Sequence, residues 1–159
     1  DEVRADRVRL PYTFAAVLGM VEDREFRIQM ARDEGHFTEE TPEWAIEAAL
    51  ERVERARRWA ERCDNAYNYR LQQDLPDHDF DPAVEDALDA LADFVAEGHD
   101  GEEIQGQVYE TAKSHDIDVS TFFEAGYRLF FDDTQGPRLG EFLGELEREF
   151  VVSRLRREA

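Results

Sequence analysis

Lysine is almost missing from this chain: Lys113 is the single one in 159 residues, and arginine supplies the rest of its 19 basic side chains. Cysteine is as scarce. Cys63 stands alone, which excludes a disulfide within the chain and suits a reducing, cytoplasmic interior. No apolar run approaches the ~20 residues that cross a bilayer. The opening Asp1-Glu2-Val3-Arg4 has neither the apolar stretch of a signal peptide nor an initiator methionine, so a piece of a longer protein is expected. No long alternation of valine, isoleucine and threonine marks a strand, and no segment repeats at a solenoid-like period.

Catalytic signatures are missing too. There is no glycine-rich phosphate loop, no Gly-x-Ser-x-Gly elbow and no cysteine–histidine pairing. His36, His78, His99 and His115 lie singly, at or near inferred helix ends, without the clustered ligands a metal site needs. Solvated helix-end histidines are expected, with no metal ligand and no catalytic residue assigned. Carboxylate pairs abound, but 39 acids in 159 residues place such pairs everywhere, so they do not mark acid–base catalysts.

What the chain does have is negative charge, −20 overall with a pI near 4.4, interleaved with 42% hydrophobic and 11% aromatic residues. A real core is affordable at this length. An acidic surplus with arginine replacing lysine fits a salt-filled cytosol, where carboxylates hold water and cations and self-repulsion is screened within ~3 Å at 1 M salt. The rival, an acidic tail that solvates or mimics nucleic acid, does not explain the regular apolar pattern.

That pattern is helical nearly throughout. A short apolar helix is expected from Pro11 to about Val21. A second runs from Asp23 to Glu34, with Phe26, Ile28 and Met30 inward and Gly35 ending it. Thr41-Pro42 is expected to cap and start the longest helix, to about Cys63. Its stripe is Ala45, Ala48, Ala49, Val53, Ala56, Ala60 and Cys63, with Trp44, Leu50 and Trp59 flanking. Residues 65–81 read as a connection. Asp81-Pro82 starts a helix carrying Val84, Ala87, Leu88, Leu91 and Val95, stopped at Gly98; another covers Glu102 to His115. Ser120 or Thr121 is expected to cap an aromatic helix, with Glu124 closing a capping box. The expected fold is all-α: about seven to eight helices in two packed groups, residues 1–70 and 71–159.

The most informative stretch is 136–155, Gly-Pro-Arg-Leu-Gly-Glu-Phe-Leu-Gly-Glu-Leu-Glu-Arg-Glu-Phe-Val-Val-Ser-Arg-Leu. Pro137 is placed to restart a helix in its first turn. Leu139, Phe142, Leu143 and Leu146 share a stripe, and Gly136, Gly140 and Gly144 repeat every four residues beside it. Each glycine inside a helix costs ~1 kcal/mol, so close approach of another backbone is implied, either protein in tight helix packing or nucleic acid.

This segment resembles the C-terminal end of the class I (archaeal-type) lysyl-tRNA synthetases. In that family an aromatic helix, here Phe122, Phe123, Tyr127 and Leu129, precedes a Gly-Pro-Arg-x-Gly-x-Phe turn, here Gly136, Pro137, Arg138, Gly140 and Phe142. A closing string follows, here Phe150, Val151, Arg154 and Leu155. Leu10-Pro11-Tyr12, the helix carrying Trp59, and Asn68-Tyr69 also fit the family's layout, so the resemblance spans nearly the whole chain. Glutamyl-tRNA synthetases carry a similar turn. The resemblance implies the anticodon-binding helical cage of an enzyme that joins lysine to tRNA with ATP and Mg²⁺, its catalytic domain lying upstream of Asp1. It implies tRNA as partner, and uridines of a lysine anticodon as target. His99-Asp100-Gly101-Glu102 matches the family's His-x-Gly-x nucleotide motif only by chance, and no Lys-Met-Ser-x-Ser loop exists.

With so acidic a chain, RNA contact has to be short-range: stacking on aromatics or guanidinium planes, and hydrogen bonds to base edges. The tRNA-binding candidates are Arg138 in the glycine-lined turn, with Gly136 and Gly140 permitting approach, Arg128 on the aromatic helix, and Tyr69 and Arg70 in the connection. For Arg138 the competing role is a salt bridge. Arg57, Arg58 and Arg62 read as a charge-paired face, and Arg148, Arg154, Arg156 and Arg157 as cations suited to a helix C-terminus. Two other functions stay open: the equivalent cage of a glutamyl-type synthetase or an acidic helical adaptor, and a small helical enzyme whose acids bind a metal.

Overall fold

A computed structural model describes residues 8–159, and these form eight helices and no strand. They divide into two compact units, one running to Arg70 and the other covering Leu71–Ala159.

In the first unit, α1 (Tyr12–Gly19) packs on α3 (Glu43–Cys63), with α2 (Arg24–Asp33) between them in sequence. Phe14, Val17, Leu18 and Met20 meet Ala45, Ala49 and Val53 in the core. A Cβ added at Gly19 would stand 3.3 Å from that of Arg57, so glycine lets the helices close up. Asp23 caps α2 by accepting from the backbone N–H groups of Glu25 and Phe26, a cap worth ~1 kcal/mol. Gly35 ends the helix region in the left-handed conformation, φ 81°.

Arg27 ties the unit together. It is buried, and its Nε donates to the carbonyls of Leu18 at 3.1 Å and Val21 at 2.7 Å. Its Nη1 pairs with Glu54 of α3, and that hydrogen bond holds the Glu54 carboxyl below the usual range.

Two expectations fail here. Thr41 does not cap α3: Pro42 takes the N-cap position, and the Thr41 hydroxyl accepts from the Thr38 N–H. The alanine stripe is narrower than its spacing implied, because Ile46 and Leu50 turn the buried face their way; Ala48 and Cys63 are exposed.

In the second unit α4 (Pro82–Ala96), α5 (Gly101–Ser114), α6 (Val119–Phe131), α7 (Leu139–Gly144) and α8 (Arg148–Leu155) pack around Phe122, Phe130 and Phe142. The tightest pairs are α5 with α7 and α4 with α8. Gly98 ends the α4 region at φ 92°. Asp100 and Glu103 close a full capping box on α5. The box expected on α6 is absent: Asp118 holds the N-cap position without a side-chain bond, Ser120 and Thr121 lie inside the helix, and Glu124 pairs with Arg128.

Pro137 does not start α7 either. It is buried before the Arg138 N-cap, and the expected closing helix is two, because Glu147 caps a fresh helix by accepting from Phe150 N–H.

Arg154, read from the sequence as a cation suited to a helix C-terminus, is fully buried. Its guanidinium donates to the carbonyls of Gln72, Gln73, Leu129 and Ala159 at 2.7–3.0 Å and lies 4.9 Å from the Phe150 ring centre. Burial lowers its pKa to about 10, so it stays charged at neutral pH. Four backbone oxygens and an aromatic face surround the charge, and the Asp74 carboxylate acts against the lowering.

Candidate nucleic-acid interface

The turn before α7 is set by glycine contacts with protein. A Cβ at Gly140 would lie 2.3 Å from the backbone nitrogen of Gln105 and 2.4 Å from its Cα. One at Gly144 would lie 2.8 Å from the Cα of Gly101. So α7 rests on α5 backbone to backbone. The Gly140 N–H donates to the Gln105 side-chain oxygen at 2.6 Å, and Gln105 is itself buried. Beside Gly136, a Cβ would meet the rings of Tyr127 at 2.7 Å and Phe131 at 3.0 Å. The expected approach of nucleic acid at Gly140 and Gly136 is corrected accordingly: α5 and the aromatic side chains of α6 occupy that space. The Gly140 N–H, engaged by Gln105, is likewise not free for a ligand.

Arg138 is exposed at the end of this turn and makes no ion pair or hydrogen bond among the described residues, so the salt bridge that competed for it is absent. It lines a shallow hollow with Asp100, Glu102, Glu141 and Glu145. Burial, helped by the Glu141 charge, raises the Glu145 carboxyl above its ordinary pKa.

The remaining candidates are engaged. Arg128 is half exposed and donates to Glu124 one turn back at 3.0 Å. In the first unit, Arg70 bridges Glu22 at 3.2 Å and Glu61 at 2.8 Å, and the two arginines Arg57 and Arg70 hold the Glu61 carboxyl low. Tyr69 beside it is half buried. Arg138, Gly136, Gly140 and Arg128 thus fall in the second unit, and Tyr69 and Arg70 in the first.

The histidines are more embedded than their helix-end positions suggest. His36 packs on Phe14 with ring centres 4.6 Å apart, and burial lowers its pKa. His99 stacks flat on Phe94 at 3.7 Å, between Glu97 and Glu103, which raise its pKa. His78 pairs with Asp132, and His115 bonds the Thr111 carbonyl. Among the described residues no group of three or more His, Cys, Asp or Glu side chains is placed to hold a metal ion. No helix there is long and apolar enough to cross a membrane.

Sequence reasoning overlooked the outer face of α3. Trp59 is 53% exposed, as is Tyr12 of α1, and both line one narrow hollow with Arg52 and Arg55. The signal was present: positions 52, 55 and 59 recur at helical spacing along one edge of the stripe that buries Ala45, Ala49 and Val53.

No family model matches the chain. Comparison with curated proteins is informative. The chain is 60% identical over 99% of its length to a lysine–tRNA ligase of Haloarcula marismortui. It is 58% identical, again over 99% of its length, to that of Halobacterium salinarum. A lysine–tRNA ligase of Thermococcus kodakarensis is 29% identical over 93% of the chain. In each case the chain spans 29% of the relative's length. The chain is therefore homologous to part of the archaeal lysine–tRNA ligases, the family its motifs resemble, and to their halophile members most of all among these three.

Proposed function

We propose, with that homology as premise, that this chain is the tRNA-gripping C-terminal region of a class I lysine–tRNA ligase. The whole enzyme would attach lysine to its tRNA in protein synthesis, using ATP and Mg²⁺. The single observation that carries the reading is the 60% identity maintained over 99% of the chain. Similarity that covers 99% of the chain makes a shared role in the larger protein the economical reading, and it favours the lysine enzyme over a glutamyl-type one or an adaptor.

The residues here do not suit ATP. No glycine-rich loop cradles phosphates, and Lys113 sits in Ala112-Lys113-Ser114 rather than in a nucleotide-binding loop. Activation of lysine would belong to a domain upstream of Asp1. This part would hold the anticodon stem and loop. Arg138 offers a free planar guanidinium with several donors, suited to a phosphate or a base edge. Gly136 and Gly140 serve it indirectly, by seating the turn on α6 and α5. Arg128, Arg70 and Tyr69 would contribute only by exchanging present partners for RNA.

Fluorescence anisotropy of labelled lysine tRNA tests the reading, with the chain titrated in about 1 M potassium chloride. Saturable binding, competed by unlabelled lysine tRNA more effectively than by a tRNA with a changed anticodon, is expected. Equal competition by all tRNAs, or no binding, contradicts it.

A further inference from the structure

The acidic charge of this chain is unevenly spread. Residues 8–70 carry 13 acids against 10 arginines, a net of −3, whereas residues 71–159 carry 23 acids against 7 bases, a net of −16. A polyanion finds its least repulsive surface on the first unit.

Within that unit the arginines divide sharply. Arg24, Arg27, Arg57 and Arg70 pair with carboxylates. Arg52, Arg55, Arg58 and Arg62 of α3, Arg9 before α1 and, apart from these, Arg32 of α2 make no side-chain ion pair or hydrogen bond among the described residues. In a chain where acids outnumber bases 39 to 19, a cluster of unpaired guanidinium groups on one surface calls for an outside partner.

The surface also has a shape. A slot of about 170 Å³ is lined by Ala15 and Ala56, by the exposed rings of Tyr12 and Trp59, and by Arg52 and Arg55. Its lining is almost wholly apolar apart from those arginines. Next to it lies a more polar hollow, which Arg52 and Arg55 also line together with Arg9. Glu51 is the acid of that second hollow. The two indole- and phenol-bearing side chains are more than half exposed, which leaves large flat rings in water with no partner.

We propose that this face of α1 and α3 is a binding site for single-stranded RNA. A base enters the slot and stacks against Trp59 and Tyr12, and the phosphate that follows it lies in the arginine-lined hollow, held by Arg52 and Arg55 with Arg9 beyond. Aromatic stacking needs an unpaired base, so a duplex does not fit. Stacking also survives high salt, in which counterion release adds little. The proposal rests on the tRNA-binding reading above and locates its grip on the first unit.

The chain has only two tryptophans, Trp44 and Trp59, so Trp44→Phe leaves Trp59 as the sole indole reporter. The 159-residue chain with this change is titrated, in about 1 M potassium chloride, with a uridine hexanucleotide, a duplex RNA of the same length, uridine monophosphate and lysine tRNA. Quenching of Trp59 by the hexanucleotide and by tRNA, and not by the duplex, is expected. Tyr12→Ala, Trp59→Ala (the latter read by anisotropy) and the double change Arg52→Ala with Arg55→Ala should each weaken tRNA binding roughly ten- to a hundredfold, with Trp59→Phe retaining most of it. All four positions are exposed, and circular dichroism checks that helicity is unchanged.

Wild-type affinity for lysine tRNA in the Trp59→Ala and double-arginine variants overturns this site while leaving the tRNA reading intact. Duplex binding as tight as single-strand binding overturns it as well. Uridine monophosphate binding as tightly as the hexanucleotide makes the slot a free-nucleotide pocket and overturns the RNA assignment. Failure of every RNA to bind the unmodified chain overturns both readings together.

Discussion

Replacing Gly140 with alanine puts one methyl group where there is no room. The added Cβ would stand 2.3 Å from a backbone nitrogen and 2.4 Å from a Cα of Gln105, both in the middle of a helix. Neither atom belongs to a flexible side-chain tip, so α7 and α5 must move apart. Overpacking of a close-packed site costs ~1–3 kcal/mol, and contact with backbone belongs at the upper end. The hydrogen bond from Gly140 N–H to the buried Gln105 oxygen would stretch with it, at ~1 kcal/mol. The gain from alanine's helix propensity, ~1 kcal/mol, recovers part. A net loss of ~2–3 kcal/mol is expected.

Gly106 provides the matched control. It lies within α5, is exposed, and has nothing within 4 Å of an added Cβ, so Gly106→Ala should stabilise by ~0.5–1 kcal/mol. For a unit of this size each kcal/mol moves Tm by ~4–8 °C. Thermal melts followed by circular dichroism, in about 1 M potassium chloride, should show the two alanines shifting Tm in opposite directions. A Gly140→Ala chain that melts with the wild type would refute the view that glycine is there for helix approach.

Other expectations follow from single groups. Arg154→Lys should cost more than ~3 kcal/mol in a urea titration, since a lysine cannot serve four carbonyls spread over three segments and their loss leaves buried acceptors bare; stability equal to wild type contradicts the keystone role. His99 has its pKa raised, first by the hydrogen bond to Glu97 and then by Glu103. Its contribution is therefore fully present below the unfolded value near 6.5, and is lost as pH rises through the higher folded value. His99→Gln should flatten that slope, and an unchanged profile of Tm against pH would remove the histidine from the account. Dialysis from molar salt to about 0.1 M potassium chloride extends screening to ~10 Å, so helicity and Tm should fall, whereas full cooperativity at low salt would contradict salt adaptation.

The helices were legible because their signals are local. Apolar spacing, the prolines at 42 and 82, and the glycines at 35 and 98 mark them within a turn or so. The C-terminal end of α3 was read at Cys63, where it lies, but the residues that close α3 and α6 were not foreseen. Asp64 and Asp132 close them in the left-handed conformation at φ 46° and 55°, a place usually announced by glycine. Arg27 and Arg154 were illegible for a different reason. An arginine is read as surface by default, and its burial depends on carbonyls up to 82 residues away, which no local pattern encodes. The same holds for Gly140, whose spacing called for a close neighbour without saying that Gln105 supplies it. On the outer face of α3, neighbouring charge runs masked an arrangement that becomes visible once ion pairs are assigned one by one.

The most direct measurement of the central claim is chemical footprinting of lysine tRNA on this chain. Hydroxyl-radical cleavage of end-labelled tRNA, with and without saturating protein in molar potassium chloride, maps contact nucleotide by nucleotide. Protection confined to the anticodon stem and loop, and lost with an anticodon-swapped tRNA, is the predicted result. Protection of the acceptor end alone, or a cleavage pattern unchanged at saturating protein, would contradict the assignment of this chain as the part of the ligase that grips the anticodon.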